Sequence, residues 1–197
     1  GFSKPFGDCR RLLKYSTDQG SIFNSDAFLV DKHIRKIFKF SIRRRLTNEP
    51  ISHIVGFRDF WKSKFLVNQN VLDPRPETEL IVEKVVTNAL SGASILELGT
   101  GTGCVAISIA LERPDLKICA SEISLEALNV AKQNAKNLGA KVKFFYSDWF
   151  KEVRQSFDLI ISNPPYLSIK DLSALPLGIQ RFEPRIALDA GKYGLDC

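Results

Sequence analysis

The chain of 197 residues is 44% hydrophobic with a net charge of +6, so it can bury one core with a small appended unit. Four widely separated cysteines, no C-x-x-C pair and two histidines favour neither a metal site nor a disulfide framework. No apolar run approaches the roughly 20 residues that span a bilayer, and the N-terminus lacks the layout of a signal peptide. We therefore expect a soluble protein without membrane contact, in the cytoplasm or, for an organellar copy, in the organelle matrix.

The N-terminal third is basic and its spacing is helical. Residues 1–64 hold 14 Lys and Arg against 6 Asp and Glu, whereas residues 65–197 hold 14 against 16. A first helix is predicted around Asp8 to Tyr15, and the apolar positions from Asp31 to Leu46 predict a second helix with a basic face. Such a face suits nucleic acid or an acidic protein surface, and it is equally common as a solvated face.

Three units are expected along the chain. Residues 1–48 are predicted to be part of a small helical domain, and the helical pattern ends at Asn48-Glu49-Pro50. Residues 49–73 are predicted to be a linker because aromatic and β-branched residues at short intervals in 51–73 favour a hairpin or two short strands. Residues 74–197 are predicted to form the catalytic domain.

Helices and strands alternate in this last unit. A helix is predicted from Glu77 to Leu90 and another from Cys104 to Glu112, and a third is bounded by Ser124 and Gly139. The apolar runs predict four strands, namely Ile95 to Leu98, Leu116 to Ala120, Val142 to Tyr146 and Phe157 to Ile161. The alternation indicates an α/β, doubly wound, parallel sheet whose fourth strand lies beside the first and whose ligands bind at the carboxyl ends of the strands.

A glycine-rich loop follows the first of these strands and is a candidate cofactor site. Its glycines allow backbone bends and the close approach of a ligand. The segment Gly101-x-Gly103-x-x-Ala106 also satisfies the looser form of the dinucleotide fingerprint, so the glycines alone do not identify the cofactor. Glu97 before the loop and Glu122 after the next strand suit a cationic aminoacyl group and a ribose diol, which favours S-adenosylmethionine. The candidate cofactor residues are Glu97, Gly99, Thr100, Gly101, Thr102, Gly103, Glu122, Asp148, Trp149 and Asn163.

Asp148 and Trp149 follow the third strand. Asp148 is predicted to accept a hydrogen bond from an adenine amino group, and Trp149 to offer a stacking surface. The alternative for Trp149 is an ordinary place in the core.

The segment Asn163-Pro164-Pro165-Tyr166 follows the fourth strand and supplies the candidate catalytic residues. An amide nitrogen is a poor nucleophile, so an enzyme must hold its N–H groups with acceptors while aiming the lone pair at the sulfonium methyl. The side-chain oxygen of Asn163 and the carbonyl of Pro164 are the expected acceptors. Prolines fix φ and donate no N–H, and Tyr166 can stack on the planar group. We therefore expect methylation of a planar amide or amino nitrogen.

With these residues the chain resembles the HemK/PrmC family, whose members methylate the glutamine of the Gly-Gly-Gln motif in peptide chain release factors. Beyond the two loops, the likeness is carried by the segments Glu49-Pro50-Ile51-x-His53, Gly56-x-x-Asp59-Phe60-Trp61, Pro74-Arg75-Pro76-Glu77-Thr78-Glu79, Ser147-Asp148-Trp149-Phe150 and Arg181-Phe182-Glu183-Pro184. It implies a Rossmann-like class I methyltransferase, S-adenosylmethionine as cofactor, a release factor as protein partner and a monomer. Glu122 stands where the family more usually has Asp.

The resemblance also raises an expectation about completeness. The chain contains no methionine, and the family continues beyond Cys197 into further strands of a seven-stranded sheet, so we expect truncation at both ends. An unprotected edge on the fourth strand would then make the chain poorly stable and inactive alone.

Two other functions stay open at this point. Asn-Pro-Pro-Tyr is shared with methyltransferases of adenine or guanine amino groups, and the basic third of the chain suits RNA or DNA. A cofactor-binding module without turnover is the non-enzymatic alternative.

Overall fold

The computed structural model describes residues 5–17 and 32–196. Its N-terminal part contains α1 (Pro5–Thr17), α2 (Lys32–Leu46) and α3 (Ile51–Val55). The two predicted helices are confirmed, while Asp31 and the rest of 18–31 lie outside the described residues. Arg45 of α2 donates to Asp8 of α1 at 2.8 Å, which joins the two helices. The basic side chains that α2 leaves exposed are Lys32, Arg35, Lys36, Lys39 and Arg43.

The predicted hairpin is shorter than expected. Strands β1 (Phe57–Phe60) and β2 (Ser63–Leu66) pair antiparallel, but the residues before them form α3 rather than a strand. Gly56 ends α3 in the left-handed conformation with φ of 80°, which glycine adopts without a steric penalty. The fully buried rings of Phe60 and Phe65 meet edge to face at 6.1 Å, anchoring the hairpin in the main core.

The remaining chain is the predicted α/β unit. It contains α4 (Glu79–Asn88), β3 (Ser94–Leu98), α5 (Cys104–Glu112), β4 (Lys117–Glu122), α6 (Leu125–Leu138), β5 (Lys143–Tyr146), β6 (Leu159–Ser162), α7 (Ile169–Ala174) and α8 (Leu177–Phe182). A 3₁₀ turn at Pro76–Thr78 precedes α4, so the helix expected from Glu77 begins two residues later. The last predicted strand also begins two residues late, at Leu159 rather than Phe157.

The sheet is parallel, with the strand order β5-β4-β3-β6. The strand after β5 therefore pairs beside β3, as predicted. From β3 to β5 the strands are added towards one edge of the sheet, and β6 is added on the other side of β3, so the strand order reverses between β3 and β6. β3 is a central strand whose Ile95 and Leu96 are fully buried. Ile95 belongs to the core cluster that contains side chains of α4 and α5, whereas Leu96 is covered by Phe145, Trp149, Val153 and Phe157. β6 occupies an edge of the described sheet, where Leu159 and Ile160 stay partly exposed.

The caps of α6 agree with the sequence. Ser124 accepts a hydrogen bond from the N–H of Ala127 at 3.2 Å, and Gly139 ends the helix with φ of 69°. Within the described residues, none of the helices is both long and apolar enough to cross a membrane.

Candidate active site

A cavity of about 270 Å³ opens at the carboxyl ends of β3, β4, β5 and β6. It lies where the strand order reverses, which is the usual ligand position in a doubly wound sheet. Its walls come from segment 70–75, the glycine loop, the ends of β4 and β5, and the turn after β6. The acidic lining residues of the described chain are Asp73, Glu97, Glu122, Asp148, Asp189 and Asp196, against one basic residue, Arg75. This acidic wall favours a cationic ligand over the anionic pyrophosphate of a dinucleotide.

The glycine loop is held from inside the protein. Gly101 and Gly103 adopt φ of 56° and 79°, a region that L side chains rarely enter. The N–H of Thr100 donates to the carbonyl of Ser121 at 3.0 Å, which ties the loop to β4. Thr100 and Thr102 are almost completely buried. The loop is therefore preorganised.

Glu97 ends β3 with a nearly buried carboxylate. One of its oxygens accepts from the hydroxyl of Thr100 at 2.5 Å and from the N–H of Ala106 at 3.1 Å. Burial raises the pKa of Glu97 to about 7, although these two hydrogen bonds act in the opposite direction. Its charge is therefore sensitive to pH near neutrality and to any cation that enters the cavity.

Glu122 ends β4 and holds the loop from the other side. Its carboxylate accepts backbone N–H bonds from Gly101 at 2.8 Å, Ile123 at 2.9 Å and Ser124 at 3.1 Å. A carboxylate has about four lone-pair positions, so about one stays available for a ligand hydroxyl. Glu122 thus shapes the loop as well as lining the cavity.

Asp148 and Trp149 line the cavity at the end of β5. Asp148 forms an ion pair with Lys151 at 2.5 Å. Trp149 has φ of 48°, an uncommon conformation for a bulky residue, and its side chain packs partly buried against Leu96 and Leu98. Both interpretations of Trp149, as cavity wall and as core residue, therefore describe the same side chain.

Asn163 follows β6 at the opposite wall of the cavity. Its Nδ2 donates to the hydroxyl of Thr78 at 3.2 Å, although the two residues are 85 positions apart. Asn163, Pro164 and Pro165 line the cavity, whereas Tyr166 is 70% exposed and is not among the lining residues. The structure thus places the predicted nitrogen-holding turn across from the predicted cofactor loop.

Comparisons with known proteins give the family of this chain. Residues 68–175 match the family described as "Methyltransferase small domain". The release factor glutamine methyltransferase of Neisseria gonorrhoeae is 41% identical, and the match covers the whole of this chain and 74% of that protein. This chain belongs to the release factor glutamine methyltransferase family.

Two further comparisons show how far the likeness extends. The release factor glutamine methyltransferase of Cereibacter sphaeroides is 41% identical over 81% of this chain and 57% of its own length, so the chain spans between about half and three quarters of these two relatives. A solved methyltransferase from Pyrococcus furiosus is 24% identical with a TM-score of 0.47, covering 65% of this chain and 63% of that one.

Most of the predicted site residues of this family member meet at the cavity, with two exceptions. Gly103 lies behind the loop, where an added Cβ would approach Ile107 to 2.8 Å and Ala131 to 3.2 Å, so this glycine allows close packing of α5 against α6. Tyr166 is the other exception. The lining residues are Glu97, Gly99, Thr100, Gly101, Thr102, Glu122, Asp148, Trp149, Asn163, Pro164 and Pro165.

Sequence reasoning missed several residues that build the site. Asn134 is buried in α6, where its amide nitrogen donates to the carbonyls of Thr102 at 2.9 Å and Leu66 at 3.1 Å, joining the glycine loop to the hairpin. The available signal was a polar residue on the apolar face of that helix. Arg75 donates to both carboxylate oxygens of Glu183 at 2.7 and 2.6 Å, and Thr78 contacts Asn163. For these two residues the signal was the family likeness alone.

Proposed function

We propose that this protein transfers a methyl group from S-adenosylmethionine to the side-chain amide nitrogen of the glutamine in the Gly-Gly-Gln motif of peptide chain release factors. The observation that carries the proposal is the position of Asn163 and Pro164 on the wall of an acidic cavity, opposite the glycine loop. Membership of the family supports the substrate, and the cavity chemistry supports the cofactor.

The acidic wall fits the cofactor's charges. The cofactor supplies, when bound, an electrophilic methyl group on a sulfonium. Glu97 sits deep in the cavity and is assigned to the cationic aminoacyl end, while Glu122 has one acceptor position for a ribose hydroxyl. Trp149 is assigned to the adenine face, with Asp148 as acceptor for its amino group.

The turn after β6 orients the target nitrogen. Because Nδ2 of Asn163 is held by Thr78, the side-chain oxygen is left to accept one N–H of the amide, and the carbonyl of Pro164 accepts the other. Bound S-adenosylmethionine would supply its methyl group to the nitrogen held in this way and leave as the neutral thioether, while the nitrogen would give up one proton to solvent.

We assign the partner surface to the N-terminal part of the protein. The exposed basic side of α2 and the hairpin of β1 and β2 are proposed to hold the release factor, with residues 1–48 as the recognition unit, 49–73 as the link and 74–197 as the catalytic unit. Under this proposal the protein acts as a monomer in the cytoplasm or, for an organellar copy, in the organelle matrix. Arg44 and Arg45 of α2 are engaged within the protein, with Glu49 and Asp8 respectively, and so support the unit itself.

The decisive experiment follows labelled methyl groups from the cofactor. The purified protein, in its longest natural form, is given release factor with Gly-Gly-Gln intact, the same factor with Gly-Gly-Ala, and total RNA in parallel. We expect label on the intact factor alone. Label on the mutated factor, or on RNA alone, contradicts the proposal.

Methylation of a nucleobase amino group is the second candidate, because Asn163 and Pro164 would hold an exocyclic amine in the same way and the exposed face of α2 is basic. It predicts that label follows added nucleic acid and ignores release factor. The RNA arm of the experiment separates the two candidates directly.

A further inference from the structure

The hydroxyl of Thr78 has an unusual position. Thr78 ends the 3₁₀ turn before α4 with the helical φ and ψ of −69° and −19°, and its hydroxyl makes no capping bond to α4. Its oxygen instead accepts from Nδ2 of Asn163 at 3.2 Å. Thr78 is only 9% exposed and lines the same cavity as Asn163. The hydroxyl is therefore directed at the turn after β6 rather than at its own helix.

Asn163 needs such a restraint because the turn that carries it is exposed. Both Asn163 and Pro164 are largely accessible to solvent. Within the described residues, the side chain of Asn163 makes one hydrogen bond, which is the bond to Thr78. A threonine hydroxyl can accept from an amide nitrogen or donate to an amide oxygen, so its contact fixes the place and the plane of the Asn163 amide. With Nδ2 bonded to Thr78, Oδ1 is the atom left to accept the N–H of the target.

Thr78 itself stands on a well-anchored segment. Residues Pro76–Thr78 form a 3₁₀ turn, and the N–H of Thr78 donates to the carbonyl of Arg75 at 3.0 Å. Arg75 holds both oxygens of the buried carboxylate of Glu183, and Arg58 donates to the carbonyl of Pro74 at 3.1 Å. Because the residues just before it are anchored and α4 follows it directly, Thr78 can restrain a neighbour that is less well held.

We propose that Thr78 is a positioning residue for methyl transfer, which acts by holding Nδ2 of Asn163 so that Oδ1 faces the target nitrogen. This inference rests on the proposed function, since it requires a target that donates an N–H to Asn163. It assigns a role to a threonine that touches neither the methyl group nor the nitrogen that receives it.

The first test compares two substitutions of Thr78. Thr78→Val keeps the shape and removes the hydroxyl, whereas Thr78→Ser keeps the hydroxyl. We expect Thr78→Val to lower kcat by about three- to tenfold, the size expected for one net hydrogen bond, with the KM for S-adenosylmethionine unchanged. Thr78→Ser should retain wild-type kcat. Equal losses in the two variants, or a loss that falls on the cofactor KM, overturn the proposal.

The second test asks whether Thr78 acts through Asn163. Thr78→Val is introduced into an Asn163→Ala background, and the proposal expects no further fall in kcat because the group to be positioned is already absent. The same fold-loss in both backgrounds would show that Thr78 acts by another route. The cycle is measured on whichever substrate the wild-type protein methylates, so label on nucleic acid would defeat the proposed function while leaving this test intact.

A third measurement does not depend on turnover. The side-chain amide protons of Asn163 are identified by nuclear magnetic resonance in protein labelled at asparagine, through the signals that disappear in Asn163→Ala. We expect these signals to shift in Thr78→Val and to return towards their wild-type positions in Thr78→Ser. Unchanged signals in Thr78→Val overturn the proposal even if the protein shows no activity.

Discussion

The two loops that face each other across the cavity are built in opposite ways. The loop after β3 is mostly buried, and Glu97, Glu122 and Asn134 each bond its backbone or its side chains. The turn after β6 is largely exposed, and among the described residues Asn163 is held through a single side-chain bond. The loop after β3 is thus preorganised by the ends of its neighbouring strands, whereas the turn after β6 depends on a neighbour that is distant in sequence. Under the proposed function, the open turn is the one that admits the protein substrate.

The largest effect is expected from Asn163→Ala. Loss of the side-chain oxygen should remove about 3 kcal/mol of transition-state stabilisation, as for other preorganised polar contacts, and kcat should fall accordingly. The affinity for the cofactor should fall much less. Ser162→Ala is the matched control, because its hydroxyl bonds the carbonyl of Leu98 within the sheet at 2.9 Å. Single-turnover rates and cofactor titrations measure both quantities. A kcat within tenfold of wild type would show that this turn does not hold the nitrogen.

Gly101 and Gly103, two of the three glycines of the loop after β3, should respond differently to substitution. Gly103→Ala forces a Cβ against Ile107 and Ala131 at a positive φ, so the free energy of unfolding should fall by about 3 kcal/mol. The Cβ added by Gly101→Ala would meet no atom within 4 Å. The free energy of unfolding should therefore fall by only about 1 kcal/mol, because of the positive φ alone.

The added methyl of Gly101→Ala would stand at the cavity wall, so cofactor affinity should fall more than stability does. Urea denaturation and cofactor titration of both variants separate these effects. Equal stability losses would contradict the different packing of the two glycines.

Because of Glu97, the stability of the protein and its affinity for the cofactor should respond to pH in opposite directions. Its pKa is raised in the folded state to about 7, so its contribution to stability is greatest below the ordinary value of 4.5 and is lost as the pH rises through about 7. Affinity for a cationic cofactor should change the opposite way, falling by up to about tenfold per pH unit below 7 as the carboxylate becomes protonated.

Glu97→Gln removes this group and should flatten both profiles, with weaker cofactor binding and a smaller fall in the free energy of unfolding from about pH 5 to about pH 8. Denaturation and cofactor titration across this range provide the measurements. An affinity profile that keeps its slope in the variant would assign the titration to another group.

Tyr166 should give the smallest effect, because it is 70% exposed and lies off the cavity wall. Tyr166→Phe keeps the ring and should change kcat less than about twofold, whereas Tyr166→Ala should raise the KM for release factor by the equivalent of about 1 kcal/mol of lost aromatic contact. Initial rates at varied release factor concentrations distinguish them. A loss in Tyr166→Phe as large as in Asn163→Ala would place the hydroxyl in the chemistry.

Much of the α/β unit was predictable because its signals are local. Ser124 and Gly139 bound α6 through cap chemistry that involves neighbouring residues, and the alternation of strands and helices placed β6 beside β3. The helix Ile51–Val55 was not predicted, because a five-residue helix provides too little periodicity to be told from a strand with β-branched residues.

The sequence by itself determined the glycine loop after β3, the acidic residues at the ends of β3 and β4, and the position of the Asn-Pro-Pro-Tyr turn after β6. Only the tertiary structure decided that Thr78 holds Asn163, that Asn134 joins the hairpin to the glycine loop, and that Gly103 serves packing. The physical reason is range. Caps, turns and strand periodicity depend on residues within a few positions, whereas these contacts between distant segments exist only once helices and strands have packed into one core.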